Sequence, residues 1–324
     1  FTKARRDTET RRLGSNPANR LTGTGIVPWG IPIGELDGET IYSGPEDVAV
    51  TFFGPRAGKS TSVAVPAILA APGPCIATSN KGDLVATTRA ARDRAGSKTW
   101  VFDPARIVQE PPGWCWDPLD GVNEVEDAMR LASVFVPKQA DDRNQFFTDS
   151  AREYLSRLFL AAAVSPEHTM IDVRRWLYTN GDPEPVTVLR RHGLEGQAEA
   201  LAGFLGGQAR ETADNIFTTA RTGASSLSSE HNLRWIVPTP GVPRFDVERF
   251  LKRNETLYLL SREGELSSAP IIAAFTQRVL RAAEMAATAR PGGRLDPFLS
   301  VVLDEAANIV KIGELPDYYS HYGS

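Results

Sequence analysis

Short, continuous apolar runs constrain the fold of this chain more than any other feature of its sequence. Five of them have the length of a strand, at 48–53, 74–78, 99–102, 256–260 and 298–303. Runs that are apolar throughout, rather than alternating with polar residues, are typical of strands buried on both faces of a parallel sheet. Helical spacing separates most of the runs, so we predict an α/β fold with a mostly parallel sheet.

A long helical stretch interrupts the strand pattern between the third and the fourth run. From about residue 118 to residue 229 nearly every segment has helical periodicity. The clearest apolar stripe consists of Phe147, Ala151, Tyr154, Leu155, Leu158 and Phe159. We therefore predict an all-α subdomain at 118–235, inserted into a core that is formed by residues 1–117 and 236–324.

The charge and the cysteine content exclude several classes of protein. The 36 basic and 40 acidic side chains give a net charge of −4, which argues against a generic basic coat for nucleic acid but leaves a local basic channel open. Cys75, Cys115 and four histidines indicate neither a disulfide framework nor a metal cluster, and a reducing, cytosolic setting is the simplest interpretation. The uncharged run at 60–80 contains three prolines and is better interpreted as a helix, a turn and a strand than as a membrane span.

The stretch FFGPRAGKSTS at 52–62 has the ending of a phosphate-binding loop. The usual spacing expects a glycine at Phe53, and the glycine comes one residue later. Between a strand and a helix, the backbone N–H groups of such a loop point at phosphate oxygens, the lysine reaches the β- and γ-phosphates, and the serine hydroxyl binds Mg²⁺. The predicted nucleotide-binding residues are Gly54, Pro55, Arg56, Ala57, Gly58, Lys59, Ser60 and Thr61. The alternative is a plain strand–turn–helix corner with a surface lysine.

A pair of acids follows the last apolar run. Asp304 and Glu305 come directly after Leu303, where two carboxylates are costly to bury unless they meet a cation or hydrogen-bond donors. In ATPases with a phosphate loop, the first acid contacts the Mg²⁺ shell and the second orients the attacking water. Solvated acids at a helix start are the alternative for the pair alone. With the loop, the pair predicts ATP and Mg²⁺ as ligands: Lys59, Asp304 and Glu305 as catalytic residues, and Ser60 and Asp304 at the metal.

Several further segments, in the same order along the chain, resemble the type IV secretion coupling proteins, which are the ATPases of bacterial conjugation. The similar segments are residues 4–14, 41–42 and 45–47 leading into the loop, Pro66 in the loop helix, 78–81 with Asp83, 101–104, 116–119, 146–147 and 151–153. The resemblance covers almost the whole chain. It implies a RecA-like core with an all-α domain, and it matches Lys59 and Ser60 to the family's phosphate and metal residues and Asp304 and Glu305 to its acidic motif.

The resemblance also implies an assembly and a place in the cell. Members form rings of six around a channel at the cytoplasmic face of the bacterial inner membrane, anchored by a membrane segment that we expect outside these residues. They deliver DNA–relaxase complexes or protein substrates to the secretion channel. A catalytic arginine from a neighbouring subunit is expected beyond residue 324.

Two other functions stay open from the sequence. One is a RecA-like DNA translocase of the chromosome-segregation type, and the other is a non-hydrolysing adaptor whose nucleotide only stabilises a docking surface. Among smaller clues, Lys81 and Asp83 are interpreted equally well as nucleotide contacts or as a helix cap and a solvated lysine. Arg210 and Arg221 are better explained as the polar face of a helix than as substrate contacts.

Overall fold

The computed structural model of the chain describes residues 31–43, 47–54, 57–138, 145–179, 181–206, 209–262, 264, 266–290 and 293–306. The strands are β1 (Pro32–Leu36), β2 (Glu39–Tyr42), β3 (Cys75–Ser79), β4 (Lys98–Phe102), β5 (Glu255–Leu260) and β6 (Ser300–Leu303). The helices are α1 (Val65–Ala70, continuous with a π-helical turn at Ser60–Ala64), α2 (Asp83–Arg94), α3 (Val125–Phe135), α4 (Gln145–Ala163), α5 (Met170–Tyr178), α6 (Glu184–Arg191), α7 (Glu195–Gly206), α8 (Arg210–Gly223), α9 (Glu230–Ile236), α10 (Val247–Phe250) and α11 (Ala269–Thr288).

The main sheet is parallel throughout and has the strand order β4-β5-β3-β6. Helix α2 connects β3 to β4, and α11 connects β5 to β6, as expected for parallel strands, which need long crossover connections. The predicted α/β fold is confirmed, and four of the five apolar runs are its strands. A separate antiparallel pair, β1 and β2, was not predicted.

The run at 48–53 is not a strand in the structure, and this prediction is wrong. Residues 47–54 form no ladder, and Phe52 is 93% exposed. Within the described part of the chain, β6 is the edge strand on this side of the sheet and pairs with β3 alone. An apolar segment favours burial, but it becomes a strand only where an adjacent strand hydrogen-bonds to its backbone N–H and C=O groups.

Alternate residues of the sheet face two different layers. Cys75, Ala77 and Tyr258 belong to a small core with α1 and α2 on one face. Ile76 and Leu257 point the opposite way, into a much larger core that continues into the helices. This period of two is why each strand is apolar throughout, since both of its faces are covered.

Helices α3 to α10 all lie between β4 and β5 in the chain, as the helical stretch predicts. The predicted stripe lies on α4, where Ala151, Leu155 and Leu158 are fully buried. Trp114 and Trp116 are buried against Phe275 of α11, where they pack under a loop. Among the residues described above, no helix combines the length and the hydropathy needed to cross a membrane. The domain boundaries at 117/118 and 235/236 stay a prediction.

Candidate functional site

The loop before the first helix turns sharply at Gly58. Its φ of +82° lies in the left-handed region, which glycine adopts without strain. The Gly58 carbonyl accepts hydrogen bonds from Ser62 N at 2.9 Å, Ser62 Oγ at 2.8 Å and Thr61 Oγ1 at 3.0 Å. These bonds fix the turn onto the helical segment that starts at Lys59, so the loop lies against a helix N-terminus, a favourable position for an anion.

Strand β6 delivers both acids to the start of this helix. Lys59 Nζ lies 2.9 Å from Asp304 Oδ1 and 2.8 Å from Glu305 Oε1. Ser60 Oγ donates a longer hydrogen bond, of 3.4 Å, to Asp304 Oδ2. Two pairs of neighbouring residues, which are nearly 250 positions apart in the sequence, therefore form one cluster. The cluster lies at the carboxyl edge of the parallel sheet, where ligands bind in open α/β folds.

The electrostatics of the cluster keep Lys59 charged. Partial burial acts to lower the pKa of Lys59, but its hydrogen bonds to Glu305 and Asp304 and the charges of the two carboxylates outweigh burial and raise the pKa. The Asp304 side chain is almost completely buried, while Lys59 and Glu305 are about one third exposed. The three groups together carry one net negative charge, so a cation can be bound without removing Lys59.

The oxygen atoms beside Lys59 suit Mg²⁺. This ion prefers hard oxygen ligands at about 2.1 Å in octahedral geometry, which separates adjacent ligands by roughly 3 Å. Ser60 Oγ and Asp304 Oδ2, at 3.4 Å, are close to that separation. Within the described residues no group of three or more acidic, histidine or cysteine side chains forms a metal cage.

The remaining predicted loop residues are exposed or lie outside the described part of the chain. Gly54 and Ala57 are exposed, and Ala57 N donates to the Gly54 carbonyl at 3.2 Å. Thr61 uses its hydroxyl on Gly58, as described above. Pro55 and Arg56 fall outside the described residues. The roles assigned to the predicted site residues stay predictions; what the structure adds is that Lys59, Ser60, Asp304 and Glu305 are in mutual contact.

The structure gives the surroundings of the residues that were smaller clues in the sequence, without testing their functional interpretation. The Asp83 carboxylate accepts from Leu84 N at 2.9 Å in the first turn of α2, and Lys81 is exposed. Arg221 donates from Nε to the Leu177 carbonyl at 2.9 Å, which ties α8 to α5. Arg210 is exposed at the start of α8.

Sequence reasoning missed Thr78, which contacts the acidic pair. Thr78 Oγ1 donates to the Asp304 carbonyl at 3.1 Å. Thr78 is one of the few polar side chains that are fully buried in the sheet, at the carboxyl end of β3. A threonine inside an otherwise apolar run could have been noted as a signal, but its partner lies 226 residues away and no local pattern points to it.

Comparisons with known proteins agree on one family. The family model described as "Type IV secretory system Conjugative DNA transfer" matches residues 21–320. A conjugal transfer protein TraG from Escherichia coli is 35% identical over 124 residues, which are 36% of this chain and 18% of that protein. A second TraG from Escherichia coli is 34% identical over 101 residues, 29% of this chain and 15% of the relative. The aligned region thus spans less than a fifth of the length of either relative.

Among solved structures, the chain is similar to the plasmid coupling protein TrwB. The complex of TrwB with a non-hydrolysable GTP analogue aligns with a TM-score of 0.47 and 18% identity, covering 77% of this chain and 60% of TrwB. The complex of TrwB with ADP and Mg²⁺ aligns with a TM-score of 0.41 and 13% identity, covering 76% and 68% of the two chains.

Proposed function

The chain belongs to the type IV secretory system conjugative DNA transfer family, and from that premise we propose that it binds ATP with Mg²⁺ and hydrolyses it. The observation that carries the proposal is the contact of Lys59 and Ser60 with Asp304 and Glu305. A surface lysine in a plain turn before a helix has no need of two acids from residues 304 and 305. A cation beside a buried acid, at a helix N-terminus, matches the requirements of a nucleoside triphosphate.

Each side chain of the cluster has a distinct role in binding. Lys59 contacts the β- and γ-phosphates, and the turn at Gly58 presents backbone N–H groups to them. Ser60 and Asp304 hold Mg²⁺, which neutralises charge on the phosphate oxygens when it is bound. Because Glu305 already pairs with Lys59, a bound phosphate replaces Glu305 as the partner of the ammonium group and frees that carboxylate.

The freed Glu305 carboxylate then acts on water. It accepts a proton from a water molecule that attacks the γ-phosphorus, and the bond between that phosphorus and the β–γ bridging oxygen breaks. The products are ADP and inorganic phosphate. The protein contributes mainly position and charge, since Lys59 stabilises the phosphate oxygens along the reaction path.

The family extends the proposal to partners. We propose that hydrolysis drives recruitment and delivery of DNA–relaxase complexes or protein substrates to a secretion channel. The working form is a homo-hexamer at the cytoplasmic face of the inner membrane, with an arginine from the neighbouring subunit completing each site. A RecA-like translocase of the chromosome-segregation type and a non-hydrolysing adaptor are the competing functions.

The test is steady-state phosphate release from ATP by the purified protein, with and without single- and double-stranded DNA. Lys59→Ala is expected to lower kcat/KM by about 100-fold or more, because it removes a charge that stabilises the transition state. Lys252→Ala is the matched control, since Lys252 is exposed and follows α10, outside the cluster.

Each pattern of results separates the candidate functions. Turnover that DNA raises and that Lys59→Ala abolishes supports a DNA-coupled motor. Turnover that double-stranded DNA alone stimulates, without a relaxase, favours the chromosome-segregation type. ATP binding without turnover in any DNA condition contradicts hydrolysis and favours the adaptor.

A further inference from the structure

The carbonyl group of Asp304 lies just beyond the end of the β-ladder between β3 and β6. The last paired residues are Thr78 and Leu303. At the next position a side chain replaces the backbone as donor: Thr78 Oγ1 donates to the Asp304 carbonyl at 3.1 Å. Thr78 is fully buried, so its hydroxyl cannot exchange this partner for solvent. The Thr78 side chain therefore adds one hydrogen bond between β3 and the chain after β6, at the first residue of the acidic pair.

The backbone at Glu305 needs such an attachment. Its φ of +55° lies in the left-handed region, which is unfavourable for a residue other than glycine. A residue stays in that region only when its surroundings hold it there. The peptide group that joins Asp304 to Glu305 contains the carbonyl that Thr78 binds, and the orientation of this peptide group constrains φ of Glu305.

The conformation of Glu305 in turn determines where its carboxylate lies. Glu305 Oε1 is 2.8 Å from Lys59 Nζ, and Asp304 Oδ1 is 2.9 Å from the same atom. Two consecutive side chains reach one cation because the chain turns between them instead of continuing as a strand, in which neighbouring side chains point to opposite faces. The turn places both acids on Lys59, and the Thr78 hydroxyl donates to the carbonyl at its start.

We propose that Thr78 is a positioning residue for ATP hydrolysis, which fixes the turn at Asp304 and Glu305 through the Asp304 carbonyl. The inference rests on the proposed function, because the reaction that Thr78 serves is the one assigned to Glu305. Thr78 does not touch the reacting groups. Its loss therefore affects turnover through Glu305, while the phosphate contacts of Lys59 and Ser60 remain.

The test compares Thr78→Val with Thr78→Ser by two measurements. Valine keeps the shape of threonine but removes the hydroxyl, whereas serine keeps the hydroxyl. We expect Thr78→Val to lower kcat about tenfold, which is the loss expected for one buried hydrogen bond. The Kd of ATP should stay within about twofold of the wild-type value. Thr78→Ser is expected to retain kcat within about threefold. Amide hydrogen exchange of the wild-type chain and the variants, without nucleotide, should be about tenfold faster for the 304–306 turn in Thr78→Val alone.

A matched control separates positioning from general loss of stability. Thr88→Val removes another fully buried hydroxyl, which contacts Tyr258 on β5, and it should change neither the exchange of the turn nor kcat. Unchanged exchange of the turn in Thr78→Val overturns the inference, whatever the turnover, and so do equal effects of Thr78→Val and Thr88→Val. If the exchange responds as expected but the wild-type protein shows no turnover that depends on Lys59, the turn is held by Thr78 and the proposed function is what fails.

Discussion

At the scale of single residues, the charge on Lys59 decides what the loop can bind. Partial burial acts to lower its pKa, but the hydrogen bonds to the two carboxylates and their charges outweigh burial and raise the pKa above its usual value. When folding raises a lysine pKa, the ion pair contributes fully to stability at any pH below the pKa of the unfolded state. This contribution is lost only as the pH rises through the pKa of the folded state. The ammonium group is therefore present across the neutral range. Because Lys59 is about one third exposed, solvent weakens the pair, and a phosphate can compete for it.

Glu305 provides the sharpest prediction for a single residue. Glu305→Gln removes the proposed proton acceptor, so we expect phosphate release to fall about 100-fold or more. Glutamine also competes less for Lys59, so the affinity for ATP should be unchanged or higher. Phosphate release and equilibrium binding of a fluorescent ATP analogue measure the two effects, with Glu248→Gln on α10 as the control. Loss of binding together with turnover would contradict the assignment of Glu305 to the chemical step.

The sequence predicts the residues of this cluster better than the contacts that hold them. Lys59, Ser60, Asp304 and Glu305 follow from motifs in which the residue type itself carries the chemistry. Thr78 was missed because its role depends on the parallel register between β3 and β6, which places it beside a carbonyl 226 residues away. That carbonyl lies beside Thr78 because β6 is the neighbour of β3, and the sequence pattern does not predict the strand order.

At the scale of elements, composition predicts strands only where the sheet supplies a neighbour. Four apolar runs correspond to β3, β4, β5 and β6, whereas the run at 48–53 is also mostly apolar and forms no ladder. The hairpin of β1 and β2 was missed although Asp37 and Gly38, both with positive φ, provide the Asp-Gly turn that favours hairpins. Neither strand is a continuous apolar run, and β1 is mostly exposed, so a search for apolar runs does not find the hairpin.

Arg92 joins the end of the loop helix to the sheet, and its removal should be costly. This guanidinium is buried on α2 and donates four hydrogen bonds, to the carbonyls of Ala71 and Gly73 and to the side chains of Asn254 and Thr256. Arg92→Leu removes all four bonds and takes this donor away from the buried carbonyls of Ala71 and Gly73, so we expect the free energy of unfolding to fall by about 3 kcal/mol.

Chemical denaturation measures this loss, and a neighbour on the same helix provides the control. Arg94 is exposed, and Arg94→Leu should change the free energy of unfolding by less than about 0.5 kcal/mol. Equal effects of the two substitutions would show that the four bonds of Arg92 contribute no net stability.

At the scale of the whole molecule, one apolar core joins the sheet to the helical segment. It includes Ile76 and Leu257 of the sheet, Trp116 on the connection and Leu155 of α4. The sequence predicts that a helical stretch interrupts the strands, but not that the two share a core. The tryptophans and phenylalanines between the sheet and the helices come from segments that are far apart in the chain. From the sequence, each can be interpreted only as packing against its own neighbours.

A shared core predicts that the sheet and the helices unfold together. Phe275 is fully buried at the junction and packs against Phe102, Trp114, Trp116 and Phe245. Phe275→Ala should lower the free energy of unfolding by about 3–5 kcal/mol, as large-to-small changes of buried aromatic residues do. Tryptophan fluorescence and far-UV circular dichroism should report the same shifted transition, because the helices lose their support when the sheet does.

The exposed Phe146, on the outer side of α4, is the control for this prediction. Phe146→Ala should leave the transition nearly unchanged, since its ring is 60% exposed and little burial is lost. Two separate transitions in Phe275→Ala would mean that the helical segment is stable without the sheet. In that case movement of the helices could not follow directly from events at Lys59, and transmission of ATP hydrolysis to a substrate would need contacts other than this core.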